Sequence, residues 1–346
     1  MKLYIRGPHF WPRLVCIFLI LVIVLGVYNM MGSRGISIKM PGRSYSGQFT
    51  PLTEEETEIR NHIKKHVEVL ASEIGERNLR EYNNLEGAVD YIEKTFRELN
   101  YEVSFQDFVV EGKITKNIEV EILGKSRPNE IIILGAHYDS VIGCPGANDN
   151  ATGVAAILEF ARLLKGGNLQ CTVRFVAFTN EEPPFFQTEN MGSLVYARRS
   201  RKRGENIVSM LSIETIGYYS DLKGSQRYPF PFSFFYPNTG NFIGFVSNAS
   251  SRNLVHHVIA SFRRNTHFPS EGVAAPGWMT GIGWSDQWSF WKEGYPGIMI
   301  TDTAPFRYPY YHTQWDTPDK IDYDRMARVV AGLKRVIIGL TNTDKK

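Results

Sequence analysis

Histidine and carboxylate side chains recur in this sequence where a hydrophobic run gives way to polar residues: His137, Asp149, Glu181, Glu182, Glu214 and His312. Residues 131–135 lead into Ala136-His137-Tyr138-Asp139-Ser140, residues 173–178 into Thr179-Asn180-Glu181-Glu182, and residues 210–213 into Glu214-Thr215. Imidazole nitrogen and carboxylate oxygen are donors that zinc takes, and a catalytic zinc keeps one position open for water. Taken singly, either histidine reads as a structural or surface residue, and a glutamate pair at a strand end as a solvated loop. Together they read as a metal centre.

The elements that must position these residues follow from the same runs. Short apolar stretches followed by helix-like segments are buried parallel strands, and ligands gather at the carboxyl ends of such strands. Strands are expected near 102–110, 116–122, 131–134, 172–178, 207–213 and 297–301. Between and around them, apolar stripes at helical spacing predict helices near 85–99, 151–164, 192–203, 250–264 and 323–340. Thr53 followed by Glu54-Glu55-Glu56 is a capping-box start for a further helix, with Ile59, Ile63, Val67 and Leu70 on one face. Residues 218–245, crowded with Phe, Tyr and Pro, read as a hairpin-like insertion that walls a cleft beside Glu214. The alternation predicts an α/β fold in three layers, a mainly parallel sheet flanked by helices.

The 346 residues suit one α/β unit with appended segments, and 43% hydrophobic against 22% charged residues can bury a sizeable core. A formal charge of +3 argues against nucleic acid as a partner. The basic run 198–203 closes a helix before Gly204, where positive charge complements the helix dipole; contact with anionic lipid or substrate is the rival reading. Cys16, Cys144 and Cys171 form no metal-binding cluster, and a Cys144–Cys171 disulfide is compatible with the sequence without following from it. Residues 14–28 are uncharged and rich in Leu, Ile and Val, and 29–31 can extend them toward the length of a membrane span. They read as an uncleaved anchor; a cleaved signal peptide competes, but no small-x-small pattern follows. The organisation expected is a short cytoplasmic head (1–13), an anchor (14–31), a linker (32–52) and a globular domain (53–346) outside the membrane.

Five motifs in order now carry a resemblance: Gly-Ala-His137-Tyr-Asp139-Ser, Gly-Ala-Asn-Asp149-Asn-Ala-Thr-Gly, Asn-Glu181-Glu182, Ile-Glu214-Thr-Ile-Gly, and Tyr-His312-Thr-x-x-Asp316-Thr-Pro. The chain resembles the family-28 metallopeptidases, co-catalytic zinc aminopeptidases and their relatives, from about residue 85 to the last helix. The resemblance implies a zinc-exopeptidase-like fold and two zinc ions per chain. It makes Asp149 the bridging carboxylate, His137 and Glu214 the rest of one site, and Glu182 and His312 the rest of the other, with Glu181 as general base. Glu214 stands where the family often has Asp. Asp139 and Asp286 are implied as supports behind the ligands, although relatives usually carry His where this chain has Gln287. Thr215 and Tyr311, next to ligands, are candidates for substrate binding; Arg307 is open between a substrate carboxylate and an internal acid.

The function expected is a membrane-anchored di-zinc aminopeptidase acting on peptides. Rivals are an acyltransferase resembling glutaminyl cyclases, a carboxypeptidase, and a non-catalytic ectodomain like the family's receptor-like members.

Overall fold

The computed structural model describes residues 12, 13, 15–18 and 35–342. Strands β1 (Ser104–Val110), β2 (Lys113–Ile122), β3 (Arg127–His137), β4 (Cys171–Phe178), β5 (Asn206–Glu214), β6 (Ile243–Asn248), β7 (Ser270–Ala275) and β8 (Gly297–Thr301) form one sheet, in the order β1-β2-β4-β3-β5-β8-β6-β7. The helices are α1 (Glu54–Glu68), α2 (Tyr82–Glu98), α3 (Thr152–Leu164), α4 (Gly192–Lys202), α5 (Arg252–Asn265), α6 (Gln287–Lys292), α7 (Ala304–Arg307) and α8 (Tyr323–Asn342). At the centre β4, β3, β5 and β8 run parallel, so their carboxyl ends share one edge. Around that centre the sheet is mixed: β1 and β2 are antiparallel additions, and β6 runs antiparallel to β8 while pairing in parallel with β7.

Burial on both faces explains the unbroken apolar run of β3. Ile132 and Leu134 face the core shared with α1, α2, α3, α5 and α8, while Ile131 and Ile133 face Tyr196 of α4 and Phe290 of α6. Helix α1 starts as expected: Thr53 accepts from the Glu56 amide, the Glu56 carboxylate accepts from the Thr53 amide, and Ile59, Ile63 and Val67 are buried. At the end of α4 the basic run also finds acids, with Arg199 Nη2 2.8 Å from Glu119. Cys144 and Cys171 are both buried free thiols.

Two segments differ from the sequence reading. Residues 218–242 form a long loop rather than a hairpin, with a short turn at Phe232–Phe234 and one bridge between Lys223 and Thr239, before entering β6. Buried Arg307 holds this loop: its Nε donates to Gln226 Oε1 (2.7 Å) and its Nη1 to the carbonyls of Tyr218 and Phe242. Its guanidinium serves the scaffold, close to Asp302, whose charge partly offsets the cost of burying it.

Residues 36–50, inside the segment expected to be a linker, lie against the domain as a strap. Ser37 exchanges two backbone hydrogen bonds with Ala274 at the outer edge of β7, Ile36 is buried, and Arg263 donates to the carbonyls of Met40, Pro41 and Gly42. The strap thereby covers an edge strand that would otherwise offer unpaired backbone groups. The anchor expected at 14–31 lies, apart from residues 15–18, outside the described residues; among those described, no helix is long and apolar enough to cross a membrane.

Candidate metal centre

The parallel edge delivers the ligand-type residues to one place. His137 is the last residue of β3 and Glu214 the last of β5, while Glu181 and Glu182 follow β4. Asp149 sits in the buried turn Ala147–Ala151 ahead of α3, and His312 comes from the loop after α7. Asp149 divides its carboxylate: Oδ1 lies 3.3 Å from His137 Nε2 and Oδ2 lies 3.2 Å from His312 Nε2. Glu214 Oε2 is 3.2 Å from His137 Nε2, and Glu182 Oε2 is 3.2 Å from His312 Nε2. Glu181 Oε2 stands further off, 3.8 Å from His137 Nε2.

These separations suit an ion between the donors. A tetrahedral zinc with bonds of about 2.0–2.1 Å has ligand atoms about 3.3 Å apart. Three groups bring their donor atoms within 4.8 Å of one another: His137 with Asp149 and Glu214, Asp149 with Glu182 and His312, and His137 with Glu181 and Glu182. Several atoms of this cluster are also orphaned. His137 Nε2, Asp149 Oδ1, His312 Nε2 and the second oxygen of Glu182, Oε1, are buried without a hydrogen-bond partner, an arrangement that costs free energy unless something fills the space between them.

Charge leads to the same reading. Burial pushes Glu182 up to about 7, with Asp149 adding repulsion and His312 opposing. Burial drives Glu181 well above the carboxylate range, against the pull of His137 and with Glu214 and Glu182 adding to it. Glu214 is raised by burial as well. Burial would lower both imidazoles, yet the surrounding carboxylates outweigh it, holding His312 at about 10 and His137 well above its ordinary value. Burial would raise Asp149, yet its two imidazole neighbours, His137 and His312, outweigh it and hold the carboxyl below its usual range. Nitrogen and oxygen donors under excess negative charge fit divalent zinc.

The supports lie behind the ligands. Asp139 Oδ1 and Oδ2 accept the amides of Glu181 and Glu182, both at 3.1 Å, so this carboxylate fixes the loop that bears them. His137 Nδ1 is 3.2 Å from the Asp139 carbonyl and 3.6 Å from its carboxylate, so backbone and side chain together orient the ring. Fully buried Asp286 stands in the field of His137 and Glu214, and burial pushes it to about 7. The direct bond to Glu214 comes from its neighbour: Ser285 Oγ donates to Glu214 Oε2 at 2.6 Å and meets Ser212 Oγ at 3.0 Å.

Asp316 belonged to a motif but had no role assigned from sequence. Its carboxylate accepts the amides of Asn148 and Asp149 and the Tyr308 hydroxyl. Arg77 was not anticipated at all. Fully buried, it donates to the carbonyls of Leu70, Gly75, Tyr138, Pro145 and Gly146, clamping the loop ahead of Asp149. Backbone strain is concentrated here too. Asn180, Thr215 and His312, each beside or at a ligand, have φ of 56°, 46° and 56°. Such a conformation costs about 1–3 kcal/mol at a residue other than glycine and persists only where its surroundings enforce it. At Thr215 they do: its amide donates to Asn150 Oδ1 and its carbonyl accepts from Asp302.

Thr215 and Tyr311 line a cleft that opens beside Glu214, and Tyr311 stacks on His312 with ring centroids 3.8 Å apart. Its other walls come from the 218–242 loop, β6, β7 and residues 280–284, largely aromatic and aliphatic.

Known proteins share both sequence and architecture. The model for peptidase family M28 matches residues 117–337. An uncharacterized protein of Escherichia coli, YfbL, is 37% identical over 280 residues, 78% of this chain and 85% of that one. A probable leucine aminopeptidase 1 of Trichophyton verrucosum is 26% identical over 223 residues, 60% of this chain and 54% of that one. Among solved structures, a zinc aminopeptidase from Bacillus subtilis superposes with a TM-score of 0.64 at 15% identity, over 83% of this chain and 96% of that one. A glutaminyl cyclase from Fimbriiglobus ruber reaches 0.60 at 19% identity, over 85% and 97%. The ordered ligand motifs, the strand edge that gathers them and the family match lead to one conclusion: the chain belongs to peptidase family M28 and is a hydrolase acting on peptide bonds.

Proposed function

We propose that the chain is a metal-dependent aminopeptidase using two zinc ions, one held by His137, Asp149 and Glu214 and the other by Asp149, Glu182 and His312. The observation that carries this reading is the division of the Asp149 carboxylate between two imidazoles at 3.3 and 3.2 Å. When bound, zinc supplies Lewis-acid polarisation of the scissile carbonyl and makes water nucleophilic near neutral pH. Glu181 remains for proton transfer, because setting it aside still leaves both proposed zinc sites with three ligands each. Its carboxylate takes a proton from the attacking water and returns it to the departing amine, while Asp139 fixes the loop that bears Glu181 and Glu182 through their backbone amides.

A free N-terminus suits this site better than a C-terminus. The α-ammonium meets a carboxylate-rich rim, whereas among the described residues no Lys or Arg lines the cleft to receive a terminal carboxylate. Arg77 is already occupied by backbone carbonyls. Thr215 and Tyr311 are proposed to flank the bound N-terminal residue. Glutaminyl-cyclase-like ring closure is the rival, and a long apolar cleft exceeds what a glutamine folding back on its own amine requires.

Peptides with free and acetylated N-termini, including one that begins with Gln, test the choice. The reading expects stepwise loss of N-terminal residues from free peptides only. Ring closure of the Gln peptide without hydrolysis, or release of C-terminal residues, contradicts it.

We also infer, from the apolar sequence of 14–31, a single-pass anchor with residues 1–13 inside and the catalytic domain outside. The intact chain should then enter the membrane fraction and need detergent for release; a mature N-terminus near Gly32 would mean a cleaved signal instead.

A further inference from the structure

The cleft follows one row of the sheet. Glu214 on β5 is in register with Thr301 on β8, Thr301 with Gly244 on β6, and Gly244 with Glu271 on β7. Partners in register project from the same face, and both Glu214 and Glu271 line the cleft. Three strand spacings of roughly 4.8 Å set their α-carbons about 14 Å apart. Between them the floor is low, because Thr301 is short and Gly244 has no side chain; a Cβ at Gly244 would meet the Thr301 carbonyl oxygen at 3.1 Å. The neighbouring row, Met299, Val246 and Val273, is apolar.

Glu271 is chemically alone in this setting. Among the described residues its one charged neighbour is Arg263, whose Nη2 is 3.8 Å away, too far for a hydrogen bond, and which already donates to the Ser270 carbonyl at 2.6 Å. Burial raises its carboxyl and Arg263 opposes the shift. A half-buried acceptor therefore faces an apolar cleft at the end remote from the metal ligands.

We propose that Glu271 reads the far end of the substrate's N-terminal side chain, selecting long side chains that end in a hydrogen-bond donor, with tyrosine foremost. This rests on the aminopeptidase reading, which seats the N-terminal residue beside Glu214. From α-carbon to distal atom, Tyr, Lys and Arg span about 6–7 Å and Leu about 4 Å. Only the longer group approaches a carboxylate reaching back from β7. Tyr228, Phe232, Tyr236 and Trp284 wall the path with rings, which favours an aromatic ring in transit. Arg263 already offsets part of the Glu271 charge, so a phenol fits better than an ammonium.

The test compares kcat/KM within each enzyme for Tyr against Phe and for Lys against norleucine aminoacyl-coumarin substrates. One hydrogen bond to a charged acceptor should favour Tyr over Phe about tenfold or more in the parent. Glu271→Leu should bring that ratio close to one. Glu271→Gln, which keeps an acceptor oxygen, should retain the Tyr preference but lose any preference for Lys. Calorimetric titration of the metal-free protein with tyrosinamide and phenylalaninamide should show the same discrimination without turnover. A Tyr/Phe ratio near one in the parent, or one unchanged in Glu271→Leu, overturns the assignment. Discrimination in the calorimeter with no cleavage of any aminoacyl substrate would leave Glu271 in place and reject the aminopeptidase reading.

Discussion

Removing the strap should cost this domain a large part of its stability. A chain beginning at Pro51 loses Ile36, only 5% exposed, from the cluster containing Phe232, Val246, Val273 and Met299. Burial of such a side chain contributes about 1.5–3 kcal/mol. It also loses the two Ser37–Ala274 backbone bonds (2.7 and 3.0 Å), each worth about 0.5–1.5 kcal/mol net. Phe49 leaves its stack on Phe268, ring centroids 5.5 Å apart, for about 0.5–1.5 kcal/mol more. The sum, about 3–8 kcal/mol, is comparable with the 5–15 kcal/mol that holds a typical domain folded. Chains beginning at Gly35 and at Pro51 should be compared by urea unfolding. The shorter one is expected to unfold at much lower urea or to aggregate, and because Val246, Val273 and Met299 also line the cleft, to bind substrate more weakly. Equal unfolding midpoints would refute the reasoning and return residues 36–50 to the status of a passive linker.

The adjacent glutamates should separate on substitution. Glu181→Gln is expected to keep its metal while kcat falls roughly 10²–10⁴-fold, the usual weight of general acid–base catalysis. Glu182→Gln should lose metal from one site; the opposite pattern, by metal analysis beside steady-state rates, would exchange the roles. Because the surrounding carboxylates outweigh burial and hold His312 at about 10 and His137 above its ordinary value, both imidazoles carry protons at pH 7 that metal must displace. Zinc binding should therefore release protons, with affinity rising as pH rises; identical calorimetric enthalpies in buffers of different ionisation heat would contradict this.

His137, Glu181, Glu182 and Glu214 were legible because each ends or follows an apolar run, and a buried parallel strand cannot conceal where its run stops; Asp149 and His312, carried by a turn and a loop, were legible only through their motifs. The central strands were legible for the same reason, and α1 from its capping box and the apolar stripe that follows it. Strands β6 and β7 were not: each is six residues long, and Gly244 in one and Glu271 with Gly272 in the other interrupt the apolar pattern. The strap reads as a linker because residues 36–50 carry little that resembles a core; what holds them is Arg263 and the edge of β7, more than 200 positions away. Arg77, between Glu76 and Asn78, has the look of a solvated turn, and its acceptors are backbone carbonyls of other segments. Ser285 was passed over for Asp286 because a carboxylate looks more like chemistry than a hydroxyl, yet the hydroxyl makes the bond to Glu214.

Metal stoichiometry of Asp149→Ala measures the central claim most directly, since each half of the centre depends on one oxygen of that side chain. The parent should hold about two zinc ions per chain, by elemental analysis after equilibration and gel filtration. With folding checked by circular dichroism, Asp149→Ala should lose both ions, while His137→Ala and His312→Ala should each lose mainly one. If Asp149→Ala stays folded and binds as much zinc as the parent, the shared-carboxylate account is wrong.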